Sequence, residues 1–546
     1  GFSDQWGASS RFTSSSPLIL LGVVSGNSNT AQAMMSGSTS LCLSLLLALS
    51  IQSATSFTPL APTAAAFTTA PPSFLRPSLR HVARSPASGR LGGRKATGFG
   101  AGEARMDAGV KAGGDVWDRW WVLPLAPFGK RQTVMHEVVK GQVWSLEQKF
   151  GALYVHVPIR MTIVKLDDGL LVYGPIAPTQ QTLDLVRGLE EEHGAVKHIV
   201  LATAAIEHKT LAGPFARKFP KAELWTVPNQ YSFPFGFDNF GLLGLTQLYW
   251  FLNPKPLPPT AEEAPWAGQM SHAILGPLKS KGGEAPGLYE ECVMLHKASK
   301  TLLATDVVQA VDPVIPEVLT SDVRPLVFHA RDDVAALETD TEQARKEGWE
   351  RIQLFALFFQ PGGVDIVPWG DALPQMATSQ MKDLGWNGLF PFAWRPKTGP
   401  HPPGKSHYSD SIAKLDSVRG VFCPPVLQKL IFDREPERVL AFADTVAGWD
   451  FKRVVPAHLK RDVACSPKQF REAFRFLEDG KGKYPCNLEA PPLCGDARFL
   501  EDVSESLVEL GTVGAPDDGV EELRRQRRQA SGADQTAPSG KGDGWG

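Results

Sequence analysis

The pattern of apolar and polar positions divides the chain into segments of different character. From residue 160 onward apolar runs are short and separated by turn residues. Residues 161–166 and 170–173 read as strands joined by Asp167, Asp168 and Gly169. An Asp-Gly pair between two apolar runs predicts a hairpin. Over 179–192, Leu183, Val186 and Leu189 fall on one helical face. Residues 198–203 read as a buried strand, 209–219 as a helix ending before Pro220, and 222–227 as another strand. Strands over 291–296 and 301–306 flank residues 297–300, a second hairpin. A helix is expected over 436–448 and a strand over 453–456. Ser466 at the N-cap and Pro467 at the first helical position open a last helix that runs through Leu477. Strands alternating with helices indicate an α/β fold.

Two stretches break this rhythm. Residues 235–252 are apolar and aromatic but contain Asp238, Asn239 and several glycines. The region 229–290 is therefore expected to be a lid or core insertion rather than a membrane span. Residues 360–415 are rich in Gly and Pro and are expected to form a long loop region, a second insertion. The folded domain is expected over 116–482, starting at the aromatic run from Val116 to Trp121. Residues 483–546 are expected to be irregular to disordered, with 511 onward rich in Gly, Asp and Ala. A short charged helix over 521–528 reads as a solvated face.

Composition narrows the function classes. The 546 residues carry 56 Lys+Arg against 58 Asp+Glu, a net charge of −2 that gives no general attraction to nucleic acid. Six cysteines exclude a disulfide scaffold. The N-terminal part reads as an address. Met34 or Met35 is the first candidate start, and residues 1–34 read as upstream read-through. Residues 41–51 form an apolar core suited to a signal peptide over 35–57 and too short to span a bilayer. Residues 58–102 carry Arg76, Arg80, Arg84, Arg90, Arg94 and Lys95 and no acid, as a transit peptide over 58–115 would. A signal, then Phe57 after small residues, then a basic acid-free stretch resembles the two-part plastid presequence of algae with secondary plastids. The expected location is the plastid stroma, with no transmembrane span in the mature protein.

Candidate chemistry sits at three strand ends. Glu207 and His208 follow the strand 198–203, Asp306 closes the run 302–305, and His458 follows 454–457. In α/β folds ligands gather at the carboxyl ends of strands. Carboxylates and imidazoles suit zinc, iron or manganese. Lys209, Arg217, Lys218 and Lys221 cluster around one helix and read as a solvated face. Cys486 and Cys494 fit no common zinc spacing and read as unpaired thiols.

The order of these residues resembles the metallo-β-lactamase superfamily, which has His-x-His-x-Asp-His after one strand, an Asp after a later one and a Gly-His after another. Here Thr203 and Ala205 stand at the two leading histidines, Glu207 at the acid and His208 at the last histidine. Asp306 matches the later Asp and His458 the late His, with Ala457 in place of Gly; the superfamily's middle His has no counterpart. More closely, residues 154–166, 207–220, 301–306, 346–350 and 453–458 resemble the plastid and cyanobacterial family catalogued as domain of unknown function 4336. The resemblance runs from about Val143 to Leu477. It implies an αββα sandwich, two mixed sheets between helical layers. It also implies a degenerate site holding one Zn or Fe ion through Glu207, His208, Asp306 and His458. Loss of two ligand histidines points to a non-catalytic binding or assembly role, with a protein partner in the plastid. The alternative is a mononuclear metal-dependent hydrolase of an ester, thioester or phosphoester.

Overall fold

The computed structural model describes Asp115–Val116, Leu125–Ala126 and residues 130–478 apart from 153, 233–234, 239–252, 279–288, 383–387 and 399–406; it also describes most of 493–519. The presequence, the run from Trp117 to Trp121, the centre of the apolar stretch 239–252 and the charged segment 521–528 lie outside the described residues.

The first sheet contains β1 (Thr133–Val139), β2 (Val143–Ala152), β3 (Val155–Leu166), β4 (Gly169–Tyr173), β5 (Val196–Leu201) and β6 (Glu223–Thr226). β2, β3 and β4 pair antiparallel, and β4, β5 and β6 pair parallel. The hairpin turn between β3 and β4 falls at Asp167 and Asp168, as the Asp-Gly signal predicts. The second sheet runs β7 (Met270–Leu278), β8 (Tyr289–His296), β9 (Thr301–Leu303), β10 (Arg453–Val455) and β11 (Val463–Ala464), in that order. Its β9–β10 pair is parallel and its other pairs are antiparallel.

Strand alternation assigns each side chain to a layer. Val164, Leu171, Tyr173 and Val200 of the first sheet face Cys292, Met294, Leu303 and Val455 of the second, forming the inter-sheet core. The opposite face of the first sheet, including Ile163, Val172 and Ile199, packs on α1 (Gln180–His193) and α2 (Ile206–Ala216). The opposite face of the second sheet, with Val293, Leu295, Leu302 and Val454, lies under a helical layer. That layer includes α3 (Glu317–Thr320), α4 (Arg324–His329) and α5 (Glu342–Phe358). It continues through α6 (Trp369–Gln375), α7 (Tyr408–Asp416), α8 (Pro425–Leu430), α9 (Pro436–Ala447), α10 (Pro467–Glu472) and α11 (Leu493–Glu509). The result is an αββα sandwich, two mixed sheets between helical layers.

Four expectations need correction. The region 229–290 is not wholly an insertion, because β7 is the edge strand of the second sheet; Ser271, His272, Gly276 and Pro277 hide its apolar alternation. The region 360–415 is not one long loop. It contains an antiparallel pair, Val364–Ile366 with Phe392–Trp394, and helices α6 and α7; Pro368 is an N-cap there rather than a breaker. The helix from Pro467 is shorter than expected, giving way to a 3-10 turn at Arg475–Leu477, and it is not the last. Its start does carry a full capping box between Ser466 and Gln469. Finally, the stretch past 482 is not irregular throughout. Helix α11 buries Phe499, Leu500 and Leu507 in the core, and its Asp496 accepts from the Gly362 N–H at 2.6 Å. Among the described residues no helix is long and apolar enough to cross a membrane.

Candidate metal centre

Register explains why Asp306 and His458 meet. β9 and β10 are parallel neighbours, with Leu303 opposite Val455. Asp306 and His458 each lie three residues past that pair, so both leave the sheet at the same end. The two exits stay bonded, since Ala304 N–H donates to Val455 O at 3.1 Å and Ala457 N–H to Thr305 O at 3.2 Å. The third contribution crosses from the other sheet. Past β5 the chain bonds to β8, with Cys292 N–H donating to Ala202 O at 2.7 Å and Ala204 N–H to Glu290 O at 3.0 Å. The helix after it begins at Ile206, earlier than the expected 209, so Glu207 and His208 sit in its first turn rather than in a loop. A carboxylate is favoured there by the helix dipole.

The four expected residues converge. Glu207, His208, Asp306 and His458 each offer a ligand atom within 4.8 Å of the others. Three of them form the tight part. His208 Nε2 lies 3.2 Å from His458 Nε2, His458 Nε2 lies 3.4 Å from Asp306 Oδ1, and His208 Nε2 lies 3.9 Å from Asp306 Oδ2. A tetrahedral ion with arms of about 2.0–2.2 Å separates its ligands by about 3.3–3.6 Å. His458 Nδ1 stands 2.9 Å from Pro158 O, a pure acceptor, so Nδ1 carries the proton and Nε2 keeps its lone pair for the site. Asp306 Oδ2 and His208 Nδ1 are buried without a hydrogen-bond partner.

Electrostatics agree with the donor set. Burial, with His458 beside it, lowers His208 well below the usual imidazole range, and burial lowers His458 to about 4. Both imidazoles are therefore neutral at neutral pH, the form a metal needs. Burial, then Glu207 and Glu291, raises Asp306 well above its ordinary value, although 16% of its side chain is exposed. Burial also raises Glu207. Crowded carboxylates facing neutral imidazoles call for a cation, so the residues present fit one metal ion.

The surroundings hold these donors in place. Arg160, 2% exposed, donates Nε to Glu147 Oε1 at 2.8 Å and Nη2 to Leu459 O at 2.9 Å; it also donates to Pro456 O. It thereby fixes the turn carrying His458, where Leu459 adopts a left-handed φ of 50°, costing about 1–2 kcal/mol. Beside these donors, Thr203 is fully buried and its Oγ1 accepts from Ala205 N–H at 3.1 Å.

Two sequence readings change here. Lys209 is not part of a solvated face but is fully buried in α2, while Lys218 and Lys221 are exposed. Cys486 and the Cys494 side chain lie outside the described residues. Sequence reading missed Glu291, whose carboxylate accepts three backbone N–H groups beside the site. Two adjacent acids, Glu290 and Glu291, in an apolar strand were the available signal.

A family model described as "Domain of unknown function (DUF4336)" matches residues 140–476, more than half of the chain. No curated protein matches. Among solved structures, a flavodiiron protein mutant from Thermotoga maritima is similar at 9% identity and a TM-score of 0.33, covering 63% of this chain and 61% of that one. The DIM-1 metallo-beta-lactamase exposed to ceftazidime is similar at 9% identity and a TM-score of 0.29, covering 64% and 98%. The metal-soaked Flv1 flavodiiron core from Synechocystis is similar at 7% identity and a TM-score of 0.30, covering 64% and 61%. The chain thus spans about 61% of the length of the flavodiiron chains.

Proposed function

The chain belongs to the family described as Domain of unknown function (DUF4336), and on that premise we propose that it binds one divalent transition-metal ion, zinc or iron, and hydrolyses an ester, thioester or phosphoester. The observation that carries this reading is the spacing of 3.2, 3.4 and 3.9 Å among His208, His458 and Asp306. Three protein ligands leave an open position, as catalytic sites do. An ion held there supplies a Lewis acid for water activation and for polarising a carbonyl or phosphoryl oxygen. Glu207, within 4.8 Å of the other donors, is the group to accept the proton of the attacking water at its carboxylate. Pro158 O holds the His458 tautomer, and the helix start holds Glu207 towards the same point.

A second reading is favoured by Thr203 and Ala205, which close the other half of the site with their own hydrogen bond. With Glu207 as a fourth ligand the ion has no free position, and the protein has a binding or assembly role towards a protein partner. Elemental analysis and a hydrolysis screen separate these readings. One equivalent of zinc or iron per chain is expected, falling to background in His208→Ala. Turnover of nitrophenyl acetate or bis-nitrophenyl phosphate that disappears in Glu207→Gln, with metal retained, supports the hydrolase. Retained metal with no turnover supports the binding role, and no metal in either protein rejects both.

The plastid stroma is proposed as the location on the acid-free basic stretch that follows the signal-like core. Residues 35–115 fused to a fluorescent reporter are expected to reach the plastid. Export to the medium would overturn the address.

A further inference from the structure

Glu291 is fully buried and is not among the four candidate ligands. Its two sides touch the two halves of the site. Its main chain lies opposite Thr203 in an antiparallel bridge, flanked by the bonds from Ala204 N–H and Cys292 N–H. That contact fixes the strand end leading to Glu207 and His208. Its side chain turns to the other half. Oε1 accepts from Thr305 N–H at 2.8 Å, and Oε2 accepts from Asp306 N–H at 2.9 Å and Val307 N–H at 3.0 Å. The Tyr289 hydroxyl donates to Oε2 as well.

Three consecutive backbone N–H groups converging on one carboxylate make an anion-binding concavity, here filled by the chain's own side chain. The arrangement is costly, because it buries a carboxylate beside that of Asp306. The return for that cost is geometric. One residue joins the two chain segments that must present His208 and Asp306 at 3.9 Å.

We infer that Glu291 is a positioning residue that sets metal affinity by holding the backbone of Thr305, Asp306 and Val307 against the strand end that carries His208. This rests on the metal reading above. Two acceptor oxygens are required. A glutamine of nearly the same shape has one acceptor oxygen, and its amide NH2 must face Thr305 N–H in one orientation or the Asp306 and Val307 N–H groups in the other.

The test compares the full chain with Glu291→Gln by two readouts. The first is zinc affinity, measured by competition with a chromophoric chelator. The second is hydrogen exchange of the peptide spanning 303–308 in metal-free protein. The expected result is a zinc Kd raised roughly 10–100-fold, the range for groups that orient ligands. Exchange at 305–307 should be about tenfold or more faster, as local opening becomes easier. A folded Glu291→Gln with unchanged zinc Kd and unchanged exchange overturns the inference. If that variant does not fold, the wild-type protein decides: amides at 305–307 that exchange as fast as an exposed loop overturn it, and protected ones support it. If wild-type protein binds no zinc, the metal reading fails, while the exchange readout still decides whether Glu291 holds the loop.

Discussion

Asp306→Asn will stabilise the metal-free protein and weaken the metal-bound one. Without an ion, the Asp306 carboxylate is pressed by burial and by Glu207 and Glu291, and its Oδ2 is buried without a partner. An asparagine cannot ionise and offers an NH2 donor in its place. Relieving such a group is expected to add about 1–3 kcal/mol to metal-free stability. The sign of the pH dependence follows from the raised carboxyl. At a pH above its ordinary value of 3.8, the folded state holds a proton that the unfolded state has released. Metal-free stability therefore falls as pH rises from that value through the raised one. Asp306→Asn should flatten that slope. With zinc present the ledger inverts, because the ionised carboxylate is a ligand. Affinity should fall by more than the roughly 100-fold upper range of groups that merely orient a ligand. Urea denaturation with a chelator at pH 5 and pH 8, beside a zinc titration, reads both effects. A variant that is less stable without metal would mean that the Asp306 charge is compensated within the chain.

The sequence shows the pieces of this site but not their meeting. Each donor is legible as the end of an apolar run, because buried strands end where polar groups reach the cleft. The hairpins around Asp168 and Lys297 are legible for the same local reason: turn chemistry and adjacent apolar runs lie within a few residues. The parallel pairing of β9 with β10 joins residues about 150 positions apart, and no local signal encodes it. The resemblance to the metallo-β-lactamase order supplied what periodicity lacked. Glu291 stays hidden because its role depends on two distant contacts, one through its main chain and one through its side chain. Helix α5 is hidden for a different reason. Trp349, Arg351, Ile352, Gln353, Leu354, Phe355, Leu357 and Phe358 are all buried, so its second half shows no polar face. Buried Arg351 donates to Ala330 O at 2.8 Å and Arg331 O at 2.7 Å, a polar residue doing a core task.

Gly348→Ala in α5 should then be strongly destabilising, against what helix propensity alone predicts. Alanine in a helix interior is favoured over glycine by about 1 kcal/mol. At this position, however, an added Cβ would lie 1.8 Å from Leu326 O and 2.5 Å from Leu326 C. Both are main-chain atoms of α4, so no side-chain rotation relieves the contact. The two helices must separate, which pulls Arg351 from the carbonyls of Ala330 and Arg331 and opens the packing around Trp349. Overpacking alone costs about 1–3 kcal/mol, and stretched buried hydrogen bonds add about 1 kcal/mol each. Set against the propensity gain, a net loss of about 2–4 kcal/mol remains. Chemical denaturation should show a lower midpoint with the slope unchanged. A midpoint equal to or above that of the wild type would mean that α4 and α5 do not approach this closely in solution. The close contact with the Leu326 backbone would then not be what excludes a side chain at position 348.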